Sequence, residues 1–327
     1  MAKLKDTLRR VGLNTFFFLL IGMILLAKLF PNWGTTDSPL PLKTITGAGI
    51  SFIFFFYGVK LSPQKLWEGL ANWKLHVVVQ ATTFLIFPLV ILVLYNFFGE
   101  EGSYLWLGTF YLAALPSTVS SSVVMVSIAG GNLPAAIFNA SISSMVGIFI
   151  TPIWMDILLP ITTVSFDLAD TFVKLSLQVL FPLIIGLILH HSLIGFANKY
   201  QTVLKNFDQG IILLIVFTAF AESFAEGMFS GQNIGQLISL SVLMLAFFGL
   251  MLSLMYFISI GFRFSREDTI TVMFCGSKKS LVQGAVMGRV MFPDPVVFGV
   301  ILLPLMIYHA LQLMAGSALA QRMGEKN

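Results

Sequence analysis

Ten apolar runs of about 17–25 residues, joined by short polar turns, constrain this chain more than any other feature. They fall at about 13–30, 44–61, 74–97, 104–128, 133–155, 172–191, 208–225, 235–258, 266–290 and 296–318. Runs of that length suit membrane-crossing helices rather than the short alternating segments of an outer-membrane barrel. Composition agrees: 57% of the 327 residues are hydrophobic and 10% charged, more apolar surface than one soluble core of this size hides. The expected fold is therefore an all-α integral membrane protein with ten transmembrane helices. The basic stretch Met1–Arg10 before the first run resembles a signal peptide, but no small-residue cleavage site precedes Lys28-Leu29-Phe30-Pro31, so a retained first helix is expected.

The net charge of +4 points to topology rather than to nucleic acid, because the basic residues gather at the ends of the runs. Lys3, Lys5, Arg9, Arg10, Lys60, Lys65, Lys74, Lys199, Lys205, Arg263, Arg266, Arg322 and Lys326 share one side in a ten-span arrangement. Only Lys28, Lys43, Lys174 and Arg289 fall on the other. The positive-inside rule then puts both termini in the cytoplasm of a plasma membrane, or of an inner membrane in a bacterium. The one cysteine, Cys275, forms no internal disulfide and matches no metal-ligand spacing.

Five spans form an odd number, so a second set of five runs in the opposite sense. From Leu13 to the interruption at Pro116-Ser117 is about 104 residues, and from Phe172 to Gly276-Ser277 is about 104 again. This spacing predicts two inverted five-helix repeats, residues 1–160 and 161–327, with spans 4 and 9 in matching places.

Both of those spans carry a break. In span 4, Pro116 lacks an amide and disfavours helix in the residue before it, so the first half should end near Leu115. Ser117 or Thr118 could then cap a second half that continues through Ser120, Ser121 and Ser122. In span 9, Ser265-Arg266-Glu267-Asp268 reads as a helix start, and Gly276-Ser277-Lys278-Lys279-Ser280 follows about 18 Å into a core roughly 30 Å thick. A lysine at that depth costs roughly 2.5–3.5 kcal/mol on insertion scales, so the pair needs a reason. No acidic residue lies near the middle of any span. Backbone carbonyls, hydroxyls and amides, a neutral amine or an anionic substrate are the remaining partners. Adjacent helical residues diverge by about 100°, so one lysine should face a cavity and the other backbone or solvent.

Further polar residues at depth are Gln80, Asn139, Ser141, Ser143, Ser144, Gln178, Tyr308, His309 and Gln312. Asn139 and Ser143 share a helix face and could line the same cavity as the span 4 hydroxyls. Taken singly, each reads first as an interhelical hydrogen bond. A Ser-Lys hydrolase dyad is conceivable, but no oxyanion-hole loop accompanies it. No phosphate loop, zinc spacing or acidic metal cluster is present.

The segments Leu115-Pro116-Ser117-Thr118-Val119-Ser120-Ser121-Ser122, Ala129-Gly130-Gly131-Asn132 with Asn139 and Ser143, and Cys275-Gly276-Ser277-Lys278-Lys279-Ser280-Leu281 together resemble the bile acid:sodium symporter superfamily, solute carrier family 10. The resemblance is strongest to the branch of its seventh member. It implies a panel of spans 1, 2, 6 and 7, a core of spans 3–5 and 8–10 in which spans 4 and 9 cross at their unwound centres, and substrate bound between the two. Sodium-coupled members carry a glutamate and a glutamine in span 9; those positions fall here on Phe274 and Lys278. The family's span 4 Ser-Asn pair falls on Ser121-Ser122, two span 5 hydroxyl positions on Ala136 and Ala140, and the span 3 glutamine on Gln80.

The expectation is a non-enzymatic secondary transporter of a small organic anion. Its site would comprise Gln80, Ser117, Thr118, Ser120, Ser121, Ser122, Asn139, Ser143, Ser277, Lys278, Lys279 and Ser280, with no cofactor beyond a coupling Na+ or H+. Lys278 would stand where sodium charge otherwise sits. A membrane regulator of cation or calcium homeostasis with the same fold is the alternative.

Overall fold

The computed structural model describes residues 15–35, 38–61, 72–100, 102–158, 173–227 and 234–325. The basic N-terminal segment, Lys65 and Lys326 lie outside them. Among the described residues every regular element is helical. In chain order these are α1 (Thr15–Leu29), α2 (Leu42–Lys60), α3 (Trp73–Ala81), α4 (Phe87–Phe98), α5 (Tyr104–Ala114), α6 (Ser120–Ala129), α7 (Leu133–Leu158), α8 (Phe181–Ile188), α9 (His190–Lys199), α10 (Gln201–Ala225), α11 (Ile234–Gly261), α12 (Arg266–Gly276), α13 (Leu281–Met291) and α14 (Pro295–Gly324).

Among the described residues five helices are long and apolar enough to cross a membrane: Trp73–Phe98, Leu133–Ile157, Gln201–Ala225, Gly235–Gly261 and Pro295–Gly324. A sixth arises if Val173–Ile188 and His190–Lys199, bent by 98°, form one span. That count covers the described residues alone, and among them 104–128 and 266–290 each hold two short helices.

Two prolines leave the same mark. Pro88 and Pro182 each follow a phenylalanine, lack the amide a helix needs, and are preceded by a five-residue π-turn, Thr82–Ile86 and Ser176–Leu180. The carbonyl four residues before each proline is released to a distant side chain. Phe84 O accepts from Trp154 Nε1 at 2.6 Å, and Gln178 O from Ser51 Oγ at 3.3 Å.

The helices pack in two groups. In one, α2 lies on α8, α9 and α10, and α1 on α10. In the other, α14 packs on α5, α6, α11 and α13, while α12 packs on α3, α6, α7 and α11. The principal contacts between the groups are those of α10 with α14 and α13. Apolar burial spans both, with Phe87, Tyr111, Phe220, Phe248, Phe274 and Phe298 all fully inside.

Candidate functional site

The α5–α6 junction follows from Pro116. Leu115 is extended at φ −71°, ψ 154°, as the residue before a proline should be, and α5 stops at Ala114. Gly147 of α7 makes room for the ring: a Cβ there would lie 2.7 Å from Pro116 Cγ. The last carbonyls of α5 have no amide to accept from, and at this burial each needs a donor.

Lys279 supplies two of them. Its ammonium donates to Ala113 O at 2.6 Å and Leu115 O at 2.7 Å. A third bond, 2.7 Å long, runs to Thr83 O, and the Nζ sits 4.1 Å from the centre of the Phe87 ring. Thr83 O is free because the π-turn sends the Phe87 amide to Thr82 O instead. Thr151 Oγ1 covers Ala114 O at 2.8 Å, and the Ser280 amide covers Pro116 O at 3.0 Å. Every carbonyl from Ala113 to Pro116 is thereby satisfied.

The α12–α13 junction is served in return. Ser265 caps α12 as expected, accepting from the Asp268 amide at 3.1 Å, and the helix ends at Gly276. Ser117 Oγ donates to Cys275 O at 2.6 Å, Ser122 Oγ to Phe274 O at 3.2 Å and Tyr308 OH to Ser277 O at 2.7 Å. Ser277 Oγ turns back to Met273 O at 2.6 Å. Ser280 opens α13, accepting from the Gln283 amide at 3.3 Å. The Gln312 amide brackets Lys279, accepting from its N–H at 2.9 Å and donating to its carbonyl at 2.7 Å, with His309 Nδ1 2.9 Å from Gln312 Nε2.

One local expectation is overturned. Ser117 and Thr118 do not cap α6, whose N-cap position is Val119 without a side-chain bond. Ser117 is turned outward to the orphan carbonyl of α12, and Thr118 Oγ1 lies 2.6 Å from Ser122 Oγ and accepts from Ser121 Oγ at 2.8 Å. Ser117 is held by a buried carbonyl at the end of α12, and Thr118 by the hydroxyls of Ser121 and Ser122. Ser120 begins α6; its side chain is outside the described set.

Lys278 diverges from Lys279. Both are fully buried, yet Lys278 Nζ has one backbone acceptor, Ser121 O at 3.1 Å. Its other neighbours are the Met125 sulfur and, 5.5 Å away, the Phe274 ring. Neither ammonium has a carboxylate partner or bonds a serine hydroxyl among the described residues, so no Ser-Lys dyad forms there.

Of the other expected residues, Ser143 Oγ accepts from the Ser117 amide at 2.9 Å and so belongs to the junction. Asn139, one turn away on α7, instead bonds Gln80 and, at 2.9 Å, His76 Nδ1. Gln80 thus meets Asn139 rather than the lysines, and its Oε1 is buried without a bond. Thr83, Phe87, Met125 and Thr151 escaped sequence reasoning. Pro88, five positions after Thr83, was the signal for the first of them.

The model of the SBF-like CPA transporter family matches residues 14–325. Among relatives, the uncharacterized protein PA2026 of Pseudomonas aeruginosa is 39% identical over 94% of this chain and 92% of its own. The putative symporter YfeH of Escherichia coli K12 is 34% identical over 95% and 92%. Sodium/bile acid cotransporter 7 of Danio rerio is 32% identical over 95% and 93%. The apolar helices and these matches agree that the chain is a multi-pass membrane transporter, and it belongs to the SBF-like CPA transporter family, in the bile acid:sodium symporter branch.

Proposed function

We propose that the protein carries a small organic anion across the membrane by alternating access. Lys278 carries this reading: it is a fully buried cation with a single carbonyl acceptor and soft neighbours, at the place where the two helix junctions meet. Lys279 spends its charge on three carbonyls, so Lys278 is the cation left to balance a substrate. Relatives named as a symporter and as sodium/bile acid cotransporters are consistent with an anionic cargo.

In this reading α5 with α6, and α12 with α13, are each one interrupted span. The chain has ten spans in two inverted halves, 1–160 and 161–327, with both termini cytoplasmic. The group of α1, α2, α8, α9 and α10 is the panel, and the remainder is the core. Solute passes between them, and the apolar cleft of about 280 Å³ between α1 and α14, with His309 in its wall, lies on that route. Phe274 and Lys278 occupy the positions where sodium-coupled members carry a glutamate and a glutamine. The ammonium takes the role of a bound cation, and a proton on or off it is the available coupling step.

Uptake into proteoliposomes tests this, with labelled taurocholate and a panel of smaller carboxylates and sulfonates, varying sodium and pH. Lys278→Gln should lower uptake at least about tenfold, the scale of losing one charge-assisted contact. Uptake by the variant equal to wild type in every condition would sink the proposal. Binding without uptake would favour the regulator of cation or calcium homeostasis.

A further inference from the structure

The interface between the two helix groups is shut at one end and parted at the other. At the shut end α10 and α14 approach so closely that a Cβ on Gly299 would lie 2.1 Å from Ser223 Oγ and 2.7 Å from Ala219 O. Ser223 Oγ donates across the seam to Val296 O at 2.6 Å. Beside it, Glu222 of α10 and Arg289 of α13 both line a polar cleft of about 320 Å³, with Thr35, Ser38 and Thr218. Glu222 and Arg289 thus bring opposite charges to one cleft, and Arg289 Nη1 is buried without a hydrogen-bond partner among the described residues. At the parted end, Phe16, Leu20 and Ile24 face Met306, His309 and Met314 across the apolar cleft.

We propose that the Ala219–Ser223–Gly299 seam and the Glu222–Arg289 pair form a gate that closes one mouth of the solute path and parts in the alternate state. The proposal rests on the alternating-access reading above. Three features suit the seam to opening. Its residues are small, so separation wets little apolar surface. Its polar contacts are the Ser223 hydroxyl bond and two opposite charges on the wall of one polar cleft, where water can replace each partner. The orphaned Nη1 gains a partner on opening, which narrows the difference between the states.

Cysteine accessibility tests the gate without requiring flux. The single native cysteine, Cys275, is fully buried, so an added thiol can be followed against a low background. Val216, seven residues before Ser223 on α10, is fully buried, and Val216→Cys supplies the reporter. A charged, membrane-impermeant methanethiosulfonate is applied to each side of sealed vesicles in turn. Gly299→Ala, which forces the seam apart, should raise labelling from the side bearing Thr35 and Ser38 by about fivefold or more. Glu222→Gln adds no volume and should raise it by a smaller factor, while the exchange Glu222→Arg with Arg289→Glu should bring it back down.

Unchanged labelling in Gly299→Ala and Glu222→Gln proteins that melt like the parent would overturn the gate. If Gly299→Ala does not fold, Glu222→Gln and the charge exchange decide alone. Uptake without any labelling response removes the gate and leaves the transporter reading. The expected labelling response without uptake of any anion keeps the gate and removes that reading.

Discussion

The α5–α6 and α12–α13 junctions solve one problem with different chemistry. Each leaves the C-terminal carbonyls of a helix unpaired in apolar surroundings, and each is repaired by side chains of the other. The first junction lends neutral hydroxyls, Ser117 and Ser122, to the end of α12. The second lends an ammonium, Lys279, to the end of α5 and to the π-turn after α3. A hydroxyl donates once, whereas an ammonium donates three times. Lys279 covers Ala113 O and Leu115 O at the end of α5, Thr151 and the Ser280 amide cover the carbonyls of Ala114 and Pro116, and Lys278 has the single backbone acceptor Ser121 O. The two neighbouring lysines thus meet different sets of partners.

Lys279→Met is the sharpest way to break that contrast. It removes donors from three buried carbonyls, each costing about 1–3 kcal/mol when left unpaired, so a loss of about 3–5 kcal/mol is expected after relaxation. Thermal unfolding in detergent should show a drop far larger than for Lys278→Gln. Equal melting temperatures for the two variants would erase the division of roles. Ser117→Ala comes next: only Cys275 O loses its donor, for about 1–2 kcal/mol, and Ser143 keeps its bond to the Ser117 amide. A cost as large as that of Lys279→Met would mean that the two junctions are equally dependent on single side chains. Ser280→Ala is the smallest, about 1 kcal/mol for a lost N-cap on α13. No change at all would indicate that packing alone starts that helix.

Much of this was legible in the sequence because it has local causes. Pro116 marks the end of α5, Ser265 the start of α12, and Gly276 its end. The two lysines do diverge, but in the non-helical link between α12 and α13 rather than on a helix, so the expected reason, a helical step, does not apply. What could not be read was where backbone acceptors would be left over. The Thr83 carbonyl has no sequence symbol; it becomes an acceptor only because Pro88 forces a π-turn and the fold carries Lys279 to it. The direction of Ser117 was missed for the same reason, since its partner lies 158 positions away. Asn139 and Ser143, one turn apart on one helix, serve different neighbours, a separation that periodicity alone does not predict.

The two Phe-Pro π-turns also bear on the order in which the chain is assembled. The Phe84 carbonyl is released as soon as α3 and α4 form, but its donor, Trp154, is made 70 residues later. The Thr83 carbonyl beside it waits 196 residues for Lys279. Gln178 is the reverse case, since Ser51 precedes it by 127 residues and is already in place when that turn forms. In chain order, then, the early turn's two acceptors precede both of their donors, whereas the donor for the later turn precedes its acceptor.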